Sequence, residues 1–210
     1  MNENAVIFDC DGTLVDSEPL AGRAWKATVA RYGYEVTDAD LEACMGIPYP
    51  RTHAYLSTRT ALPDAAALWP ELRRELFSLI DAELVPFPDA VKATAELCER
   101  GVRLAVASSS PRERLDRTLA RAGLSFAVTV AGDEVEHGKP APDMFLAAAE
   151  RLRVAPERCV VVEDSGPGVS AGRAAGMRTL GVRRVAHADL SGADAVVETL
   201  SAEAILALLV

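Results

Sequence analysis

The sequence is poor in lysine and in net positive charge. Its 210 residues carry a formal net charge of −9 at pH 7. Such a chain would be repelled by the phosphates of a nucleic acid, which argues against a nucleic-acid partner. Lysine occurs only at Lys26, Lys92 and Lys139, so a lysine with a specific chemical task should be easy to identify.

Long apolar runs and closely paired cysteines are also absent. No run spans a membrane, and the first four residues lack the basic and apolar regions of a signal peptide. The cysteines form no C-x-x-C pair and are typical of small buried residues in a reducing compartment: Cys10, Cys44, Cys98 and Cys159. We therefore expect a cytoplasmic protein without a membrane partner, and a monomer, with a weak homodimer as the alternative.

Short apolar runs alternate with amphipathic patterns along most of the chain. They predict six strands, at residues 5–8, 102–107, 128–131, 159–162, 179–182 and 195–197. Three of the runs are almost continuously apolar, as parallel strands covered on both faces are. The intervening patterns predict helices over 89–100, 111–122 and 143–152. This alternation favours an α/β fold with a doubly wound parallel sheet.

Residues 17–86 interrupt the alternation with helical patterns alone. The patterns predict helices over 20–32 and 39–45, and one or two more over 65–84, with Pro70 as the point of division. Prolines at both ends of the segment mark hinges. We therefore predict an α/β core of residues 1–16 and 87–210, interrupted by an α-helical domain of residues 17–86.

Two carboxylates follow the first predicted strand. Asp9 and Asp11 are two positions apart, so they point to the same side of an extended chain, and Gly12 then permits a sharp turn. At ~4 Å and an effective dielectric constant near 20, two such anions repel by about 4 kcal/mol, which a cation or a proton must offset. The pair predicts a magnesium-dependent site where one carboxylate attacks and the other moves a proton.

Three serines follow the second predicted strand. Ser110 is predicted to be the N-cap of the next helix, with Pro111 as its first residue and Glu113 completing a capping box. Ser108 and Ser109 are left beside a helix N-terminus, where hydroxyl and backbone N–H groups suit a phosphate. The alternative is that all three serines only cap and turn the chain.

A lysine and two further carboxylates precede the later helices. Lys139 lies in a loop with prolines at positions 140 and 142, which limit backbone freedom. Such a loop suits a point charge presented to a phosphoryl oxygen or to a crowded carboxylate site. Glu163 and Asp164 end the fourth predicted strand, and their oxygen atoms suit Mg²⁺. The alternatives are a solvated surface lysine and an Asp164 or Ser165 that only caps a helix.

In chain order, these motifs resemble the four motifs of the haloacid dehalogenase superfamily, in its phosphatase and β-phosphoglucomutase-like branch: Asp9-x-Asp11-Gly12-Thr13, then Ser108, then Lys139, then Glu163-Asp164. The helical insert is similar in position to the α-helical cap of that superfamily. All four motifs in this order, together with the insert, are a far more specific signal than any one of them.

The resemblance implies a role for each matching position. Asp9 is expected to be the nucleophile that forms an aspartyl-phosphate, and Asp11 to protonate the leaving group and then deprotonate water. Ser108, with its neighbour Ser109, and Lys139 are expected to bind the phosphoryl oxygens. Thr13 is expected to steady Asp9 and the turn, and the cap to close over the substrate. The expected Mg²⁺ ligands are the Asp9 carboxylate, the Asp11 main-chain carbonyl and Asp164, with Glu163 as a further ligand.

The acid at Asp11 limits which of the superfamily's reactions this chain is expected to catalyse. Dehalogenases and phosphonatases of the superfamily lack an acid at this position, so its presence implies a phosphate ester whose leaving group needs a proton. We predict hydrolysis of a small phosphorylated metabolite, a sugar or polyol phosphate. The alternative is a β-phosphoglucomutase-like mutase, although this chain has Ala21 and Tyr49 where the mutases have a histidine and an arginine.

Residues 46–53 form a predicted loop of the insert that is the best candidate for substrate contacts, with Arg51 for a substrate anion. The alternative is that Arg51 and His53 are solvated or cap a helix.

A non-catalytic phosphoacceptor or binding protein is the alternative from another functional class. Receiver domains combine similar groups, but they carry the phosphorylated aspartate on a later strand and have no helical insert.

Overall fold

The computed structural model describes residues 4–44, 49–186 and 188–209, which form six strands and nine α-helices. The strands are β1 (Ala5–Phe8), β2 (Arg103–Ala107), β3 (Val128–Val130), β4 (Cys159–Glu163), β5 (Arg178–Val182) and β6 (Ala195–Val197). The helices are α1 (Glu18–Ala30), α2 (Asp38–Cys44), α3 (Tyr49–Leu56), α4 (Ala65–Glu83), α5 (Pro88–Glu99), α6 (Arg112–Ala122), α7 (Asp143–Leu152), α8 (Gly166–Ala174) and α9 (Ala202–Leu206). In this part of the chain, no helix combines the length and the apolar character that crossing a membrane requires.

All six strands are parallel and follow the order β3-β2-β1-β4-β5-β6. β1 lies between β2 and β4, with Ala5 opposite both Arg103 and Cys159. The strand order reverses direction on the two sides of β1, which creates a topological switch point at the carboxyl end of the sheet. The predicted parallel α/β sheet is therefore confirmed, and the segments after β1, β2 and β4 leave the sheet side by side.

The continuous apolar character of the central strands reflects burial. Every residue of β1 and β4 is buried. On one face, α7 packs against β1, β2 and β3, and its Met144 and Phe145 join a core cluster with Ile7 and Val161. Apolar area removed from water contributes about 25 cal/mol per Å², so the burial of this layer stabilises the sheet.

The chain divides into two compact units. One contains the residues up to Asp16 together with those from Val85 onward, and it holds the whole sheet. The other is Ser17–Leu84, which contains α1 to α4 and no strand among its described residues. The predicted insert, residues 17–86, covers this helical unit.

In the helical unit, α1 and α4 pack against each other. α4 runs unbroken although Pro70 lies inside it, so the predicted division at Pro70 is wrong. Proline inside a helix removes one backbone hydrogen bond and is therefore unfavourable there. Leu68 and Leu72, one on each side of it, are both buried on the same helix face, so the burial of this face maintains the helix across the proline.

The segment predicted as a substrate-contacting loop is partly helical. Tyr49 and His53 belong to α3, while residues 46–48 lie outside the described part of the chain. The ring of Tyr49 stacks on Trp25 with centroids 5.6 Å apart, and Nε2 of His53 lies 2.8 Å from the carbonyl of Pro63. Tyr49 and His53 therefore have structural partners within the helical unit, and Arg51 is exposed.

Asp40 is a buried acid of the helical unit with several hydrogen-bond donors. Its carboxylate accepts from the backbone N–H and the hydroxyl of Thr37 (3.0 and 2.7 Å), from Tyr34 (2.8 Å) and from Tyr55 (3.0 Å). The Asp40 N–H donates back to the Thr37 hydroxyl (3.2 Å), which completes a capping box at the start of α2. The hydroxyl and N–H of Thr37, followed by Tyr34, hold the pKa of Asp40 well below its usual range.

We predict that Asp40→Asn lowers the melting temperature at pH 7, because the amide replaces one acceptor oxygen by a donor. A group with a depressed pKa stabilises the fold above its unfolded-state pKa, and this contribution is lost as the pH falls through the folded-state value. The difference from wild type should therefore shrink below about pH 3.9. Calorimetry measures it.

Asp38→Asn is the matched control, because the Asp38 side chain is 95% exposed and pairs only at the surface with Lys26. Its melting temperature should stay close to that of wild type. Equal melting temperatures for the two variants at pH 7 would contradict the role given to the Asp40 hydrogen bonds.

Candidate active site

Lys139, in the loop before α7, lies between two carboxylates at the carboxyl edge of the sheet. Its ammonium donates to Oδ1 of Asp9, which follows β1, and to Oε1 of Glu163 (2.6 Å), the last residue of β4. A third contact reaches the carbonyl of Ala107 in β2 (3.3 Å). The Lys139 side chain is 7% exposed, so the solvated-lysine alternative is wrong.

The neighbouring carboxylates raise the pKa of Lys139. Burial by itself lowers the pKa of the ammonium, but the carboxylates of Asp9 and Glu163 outweigh burial and raise the pKa above its usual value. The ammonium also lies 5.1 Å from the ring centroid of Phe145, within cation–π range. Lys139 is therefore a fixed positive charge, and not a base.

Glu163 is held from its second oxygen atom by the start of α8. Oε2 accepts from the backbone N–H (2.9 Å) and the hydroxyl (2.8 Å) of Ser165. The same hydroxyl accepts from the N–H of Gly168 (3.2 Å) and caps α8. A Cβ at Gly168 would lie 1.8 Å from Oε1 of Glu163, so the helix can approach this carboxylate only with glycine there. Glu163 is thereby fixed in position toward Lys139.

Three carboxylates converge at this place. One oxygen atom from each of Asp9, Glu163 and Asp164 lies within 4.8 Å of the others. Burial, with the neighbouring charge of Glu163, raises the pKa of Asp164 to about 7. Burial also raises the pKa of Asp9, against the opposing effect of Lys139. Since the ammonium of Lys139 offsets one of three negative charges, the group fits a divalent cation that prefers oxygen ligands.

Asp164 is positioned by the turn that follows β1. The hydroxyl of Thr13 donates to Oδ1 of Asp164 (3.0 Å), so Thr13 contacts Asp164, whereas the resemblance implied that it steadies Asp9. Gly12 has φ = +84°, and a Cβ there would lie 2.3 Å from Oδ2 of Asp164. A side chain at Gly12 would therefore be strained and would displace the carboxylate.

The carboxylate of Asp11 lies apart from this group of three. Oδ2 accepts from the hydroxyls of Ser110 (2.7 Å) and Ser108 (3.4 Å), and Oδ1 accepts from Nη2 of Arg114 (2.7 Å). The Asp11 and Arg114 side chains are each 19% exposed. The two acids of the first motif therefore occupy different electrostatic surroundings, although one residue separates them.

The capping prediction for Ser110 is wrong. α6 begins at Arg112, its N-cap residue is Pro111, and the N–H of Arg112 is satisfied by Oδ1 of Asp133 (2.9 Å). The Ser110 hydroxyl is directed to Asp11. A capping box would use the Ser110 hydroxyl as an acceptor for a nearby backbone N–H. The partly buried carboxylate of Asp11, which follows β1, is instead a charged acceptor to which this hydroxyl donates.

Ser108 and Ser109 differ in their surroundings. Ser108 is buried, and its hydroxyl accepts from the N–H of Ser110 (3.1 Å) while it faces Asp11. Ser109 is exposed. Its backbone passes close to Gly132, where a Cβ would lie 2.3 Å from the Ser109 carbonyl oxygen. Of the two predicted phosphate ligands, the structure therefore brings Ser108 next to Asp11 and leaves Ser109 at the surface.

The sequence interpretation missed two arginines at this site. Arg184 donates two hydrogen bonds to Asp89 (2.8 and 2.9 Å) and one to the carbonyl of Thr13 (3.2 Å), so it supports the turn after β1. Arg114 is the second. Because arginine is abundant in this chain, no single arginine could be singled out by its rarity. The sequence feature that could have identified Arg114 is a basic residue in the first turn of α6, where the helix dipole disfavours a positive charge.

The fold and this group of side chains define a class of protein, and the comparisons with known proteins agree. Residues 3–176 match the family model of haloacid dehalogenase-like hydrolases. A fructose-1-phosphate phosphatase of Escherichia coli, YqaB, is 38% identical over 85% of this chain and 95% of its own length. A phosphorylated carbohydrates phosphatase of Thermotoga maritima is 36% identical over 84% of this chain and 83% of its own length.

Two further similarities concern the fold and the extent of the match. A crystal structure of a protein from Thermotoga maritima, described as a putative beta-phosphoglucomutase, superposes with a TM-score of 0.82 at 33% identity, over 98% of both chains. A chloroplastic protein of Arabidopsis thaliana, SUPPRESSOR OF QUENCHING 1, is 37% identical over 86% of this chain, which spans 18% of that protein's length.

The chain belongs to the haloacid dehalogenase-like hydrolases. Within this family it is a phosphatase-type enzyme of the branch that also contains the β-phosphoglucomutase-like proteins.

We predict that Gly12→Ala lowers the rate of phosphate-ester hydrolysis by about 10-fold or more, because its Cβ displaces Asp164 from the group of three carboxylates. The positive φ adds a strain of about 1–2 kcal/mol. Gly101→Ala is the matched control, since Gly101 has φ = +71° but open space around its Cβ position. Gly101→Ala should lower the melting temperature through a similar backbone strain and leave the hydrolysis rate unchanged. An unchanged rate in Gly12→Ala would contradict the packing argument.

Proposed function

We propose that this enzyme is a Mg²⁺-dependent phosphatase that hydrolyses a small phosphorylated carbohydrate or polyol through an aspartyl-phosphate intermediate. The observation that carries the proposal is the buried contact of Asp9 with Lys139, beside Glu163 and Asp164 at the carboxyl edge of the sheet. A nucleophilic carboxylate needs neighbouring positive charge to approach a phosphoryl dianion, and Lys139 provides a permanent one.

In the first half-reaction, Asp9 acts as the nucleophile. A bond forms between its carboxylate oxygen and phosphorus, and the bond between phosphorus and the ester oxygen breaks. Asp11 donates its proton to that departing oxygen, which leaves as an alcohol. Lys139 and the Ser108 hydroxyl bind the phosphoryl oxygens that become equatorial during transfer.

In the second half-reaction, water attacks the phosphorus atom of the aspartyl-phosphate. The carboxylate of Asp11 accepts a proton from this water, the bond from phosphorus to Asp9 breaks, and inorganic phosphate leaves. Each residue thereby returns to its starting protonation state. Asp11 serves in turn as acid and as base, whereas Asp9 remains the covalent carrier.

The metal requirement follows from the same charges. Asp9 and Asp164 would hold Mg²⁺ with the Asp11 main-chain carbonyl, while Glu163 is engaged chiefly by Lys139 and Ser165. When bound, Mg²⁺ supplies positive charge that offsets the anionic phosphoryl group and the crowded carboxylates. Thr13, Gly12 and Gly168 determine where the two carboxylates of the fourth motif stand.

The substrate class rests on the relatives. Those that match most of this chain and of their own length include a fructose-1-phosphate phosphatase, a phosphorylated carbohydrates phosphatase and two hexitol phosphatases. All act on phosphate esters of small polyhydroxy compounds, as their names state. An alcohol of this kind is a poor leaving group, which agrees with an acid at Asp11.

A mutase is the second candidate, because a structure described as a putative beta-phosphoglucomutase covers nearly the whole chain. A phosphosugar mutase must protect its phosphoenzyme from water and return the phosphoryl group to the sugar. The position where such mutases have a histidine is Ala21 on α1, whose methyl group moves no proton. Hydrolysis is therefore the favoured reaction.

We predict Mg²⁺-dependent release of phosphate from at least one compound in a panel of sugar and polyol phosphates, with activity lost on chelation and restored by added Mg²⁺. β-Glucose 1-phosphate is included, and its products are identified by NMR. No release from any ester would overturn the phosphatase proposal. Conversion of β-glucose 1-phosphate into glucose 6-phosphate faster than phosphate is released would establish the mutase instead.

We predict that Asp9→Asn lowers turnover by about 1000-fold or more and abolishes covalent labelling by phosphate, since an amide oxygen is a far weaker nucleophile. Asp16→Asn is the control, because Asp16 is an exposed acid in the same segment, and it should retain both properties. Retained turnover in Asp9→Asn would refute the assignment of the nucleophile.

A further inference from the structure

Arg114 is a partly buried cation of the site that the proposed chemistry leaves without a task. Its guanidinium donates to Oδ1 of Asp11 at 2.7 Å, and both side chains are about four-fifths buried. It lies in the first turn of α6, where the helix dipole disfavours a positive charge. The contact with Asp11 offsets this cost.

The carboxylate of Asp11 is held from both of its oxygen atoms. Arg114 binds Oδ1, whereas Ser110 (2.7 Å) and Ser108 (3.4 Å) bind Oδ2. Ser108 and Ser110 are both buried. A carboxylate bound on one oxygen by hydroxyls alone can rotate about its side-chain torsions, whereas a guanidinium contact on the other oxygen fixes its plane. Arg114 therefore determines the orientation of Asp11.

The held orientation places Asp11 next to the phosphoryl site. Ser108 contacts Asp11 through its hydroxyl, and this hydroxyl is the one assigned above to a phosphoryl oxygen. A group that moves a proton to the departing ester oxygen must stand within hydrogen-bond reach of it, and an error of about 1 Å lowers the rate substantially.

We propose that Arg114 is a positioning residue for the proton transfer by Asp11, and thereby sets the preference of the enzyme for esters whose alcohol needs a proton to leave. The inference rests on the proposed function, in which Asp11 is the acid. Arg114 acts only through Asp11 and does not itself bind the phosphoryl group.

The test uses two substrates that differ in the leaving group. One is the alkyl phosphate that the enzyme hydrolyses fastest, and the other is 4-nitrophenyl phosphate, whose nitrophenolate departs without a proton. The ratio kcat/KM reports the steps up to the loss of the leaving group. Arg114→Met should lower kcat/KM about 10- to 100-fold for the alkyl ester and less than about threefold for the nitrophenyl ester. Arg114→Lys should fall between this variant and wild type.

Two further variants make the result specific. Arg121→Met replaces an exposed arginine in the last turn of the same helix and should leave both ratios unchanged. The double variant Asp11→Asn with Arg114→Met should be no slower than Asp11→Asn alone, because Arg114 has no effect once the group that it orients is lost.

Several outcomes overturn the inference. An equal loss on both substrates would show a direct phosphate contact or a general structural role, and so would losses that add in the double variant. A higher rate in Arg114→Met would show that Arg114 restrains Asp11. Asp11→Asn separates the two hypotheses. If this variant loses kcat/KM equally on the alkyl and nitrophenyl esters, the proposed role of Asp11 fails. If it loses more on the alkyl ester but Arg114→Met does not, the inference about Arg114 alone fails.

Discussion

The buried ammonium of Lys139 is the interaction on which the rest of the site depends. Asp9 follows β1 and Glu163 ends the neighbouring β4, so the sheet brings their negative charges together whether or not this is favourable. One cation placed between them turns this repulsion into attraction, and burial strengthens that attraction. The same cation is an electrostatic partner for an incoming phosphoryl group. Removal of Lys139 would leave two buried carboxylates without their cation, which is strongly destabilising.

The remaining structure positions that cation and its neighbours. Ser165 and Gly168 at the start of α8 orient Glu163, while Gly12 and Thr13 after β1 fix Asp164. These constraints come from main-chain turns and helix starts, which are more rigid than long side chains. Three acids from two strand ends can therefore be held close enough together to act as one site.

The first motif shows how one short segment serves two chemical tasks. Asp9 and Asp11 leave the sheet in the same direction, yet Asp9 faces Lys139 and Asp11 faces Arg114. Separate cations keep the two carboxylates from competing for one proton or one metal ion. In the proposed reaction this separation allows the covalent task and the proton-transfer task to be assigned to different residues.

Most of the fold and of the candidate site could be predicted from the sequence. The apolar runs located all six strands within one residue at each end, because buried parallel strands leave a continuous local pattern. The failures were of a different kind. The division at Pro70 was wrong because burial of a helix face outweighed a local backbone preference, and the capping role of Ser110 was wrong because its acceptor is far away in sequence.

The sequence by itself determined the layers of the α/β unit, the helical insert and the identity of the acids and the lysine that follow the strands. These features depend on local periodicity and on residue type. Only the tertiary structure decided which charges meet: Lys139 with Asp9 and Glu163, and Arg114 with Asp11. The physical reason is that a charge pair depends on distance through space, and residues separated by 24 to 130 positions become neighbours only when the sheet and its flanking helices have formed.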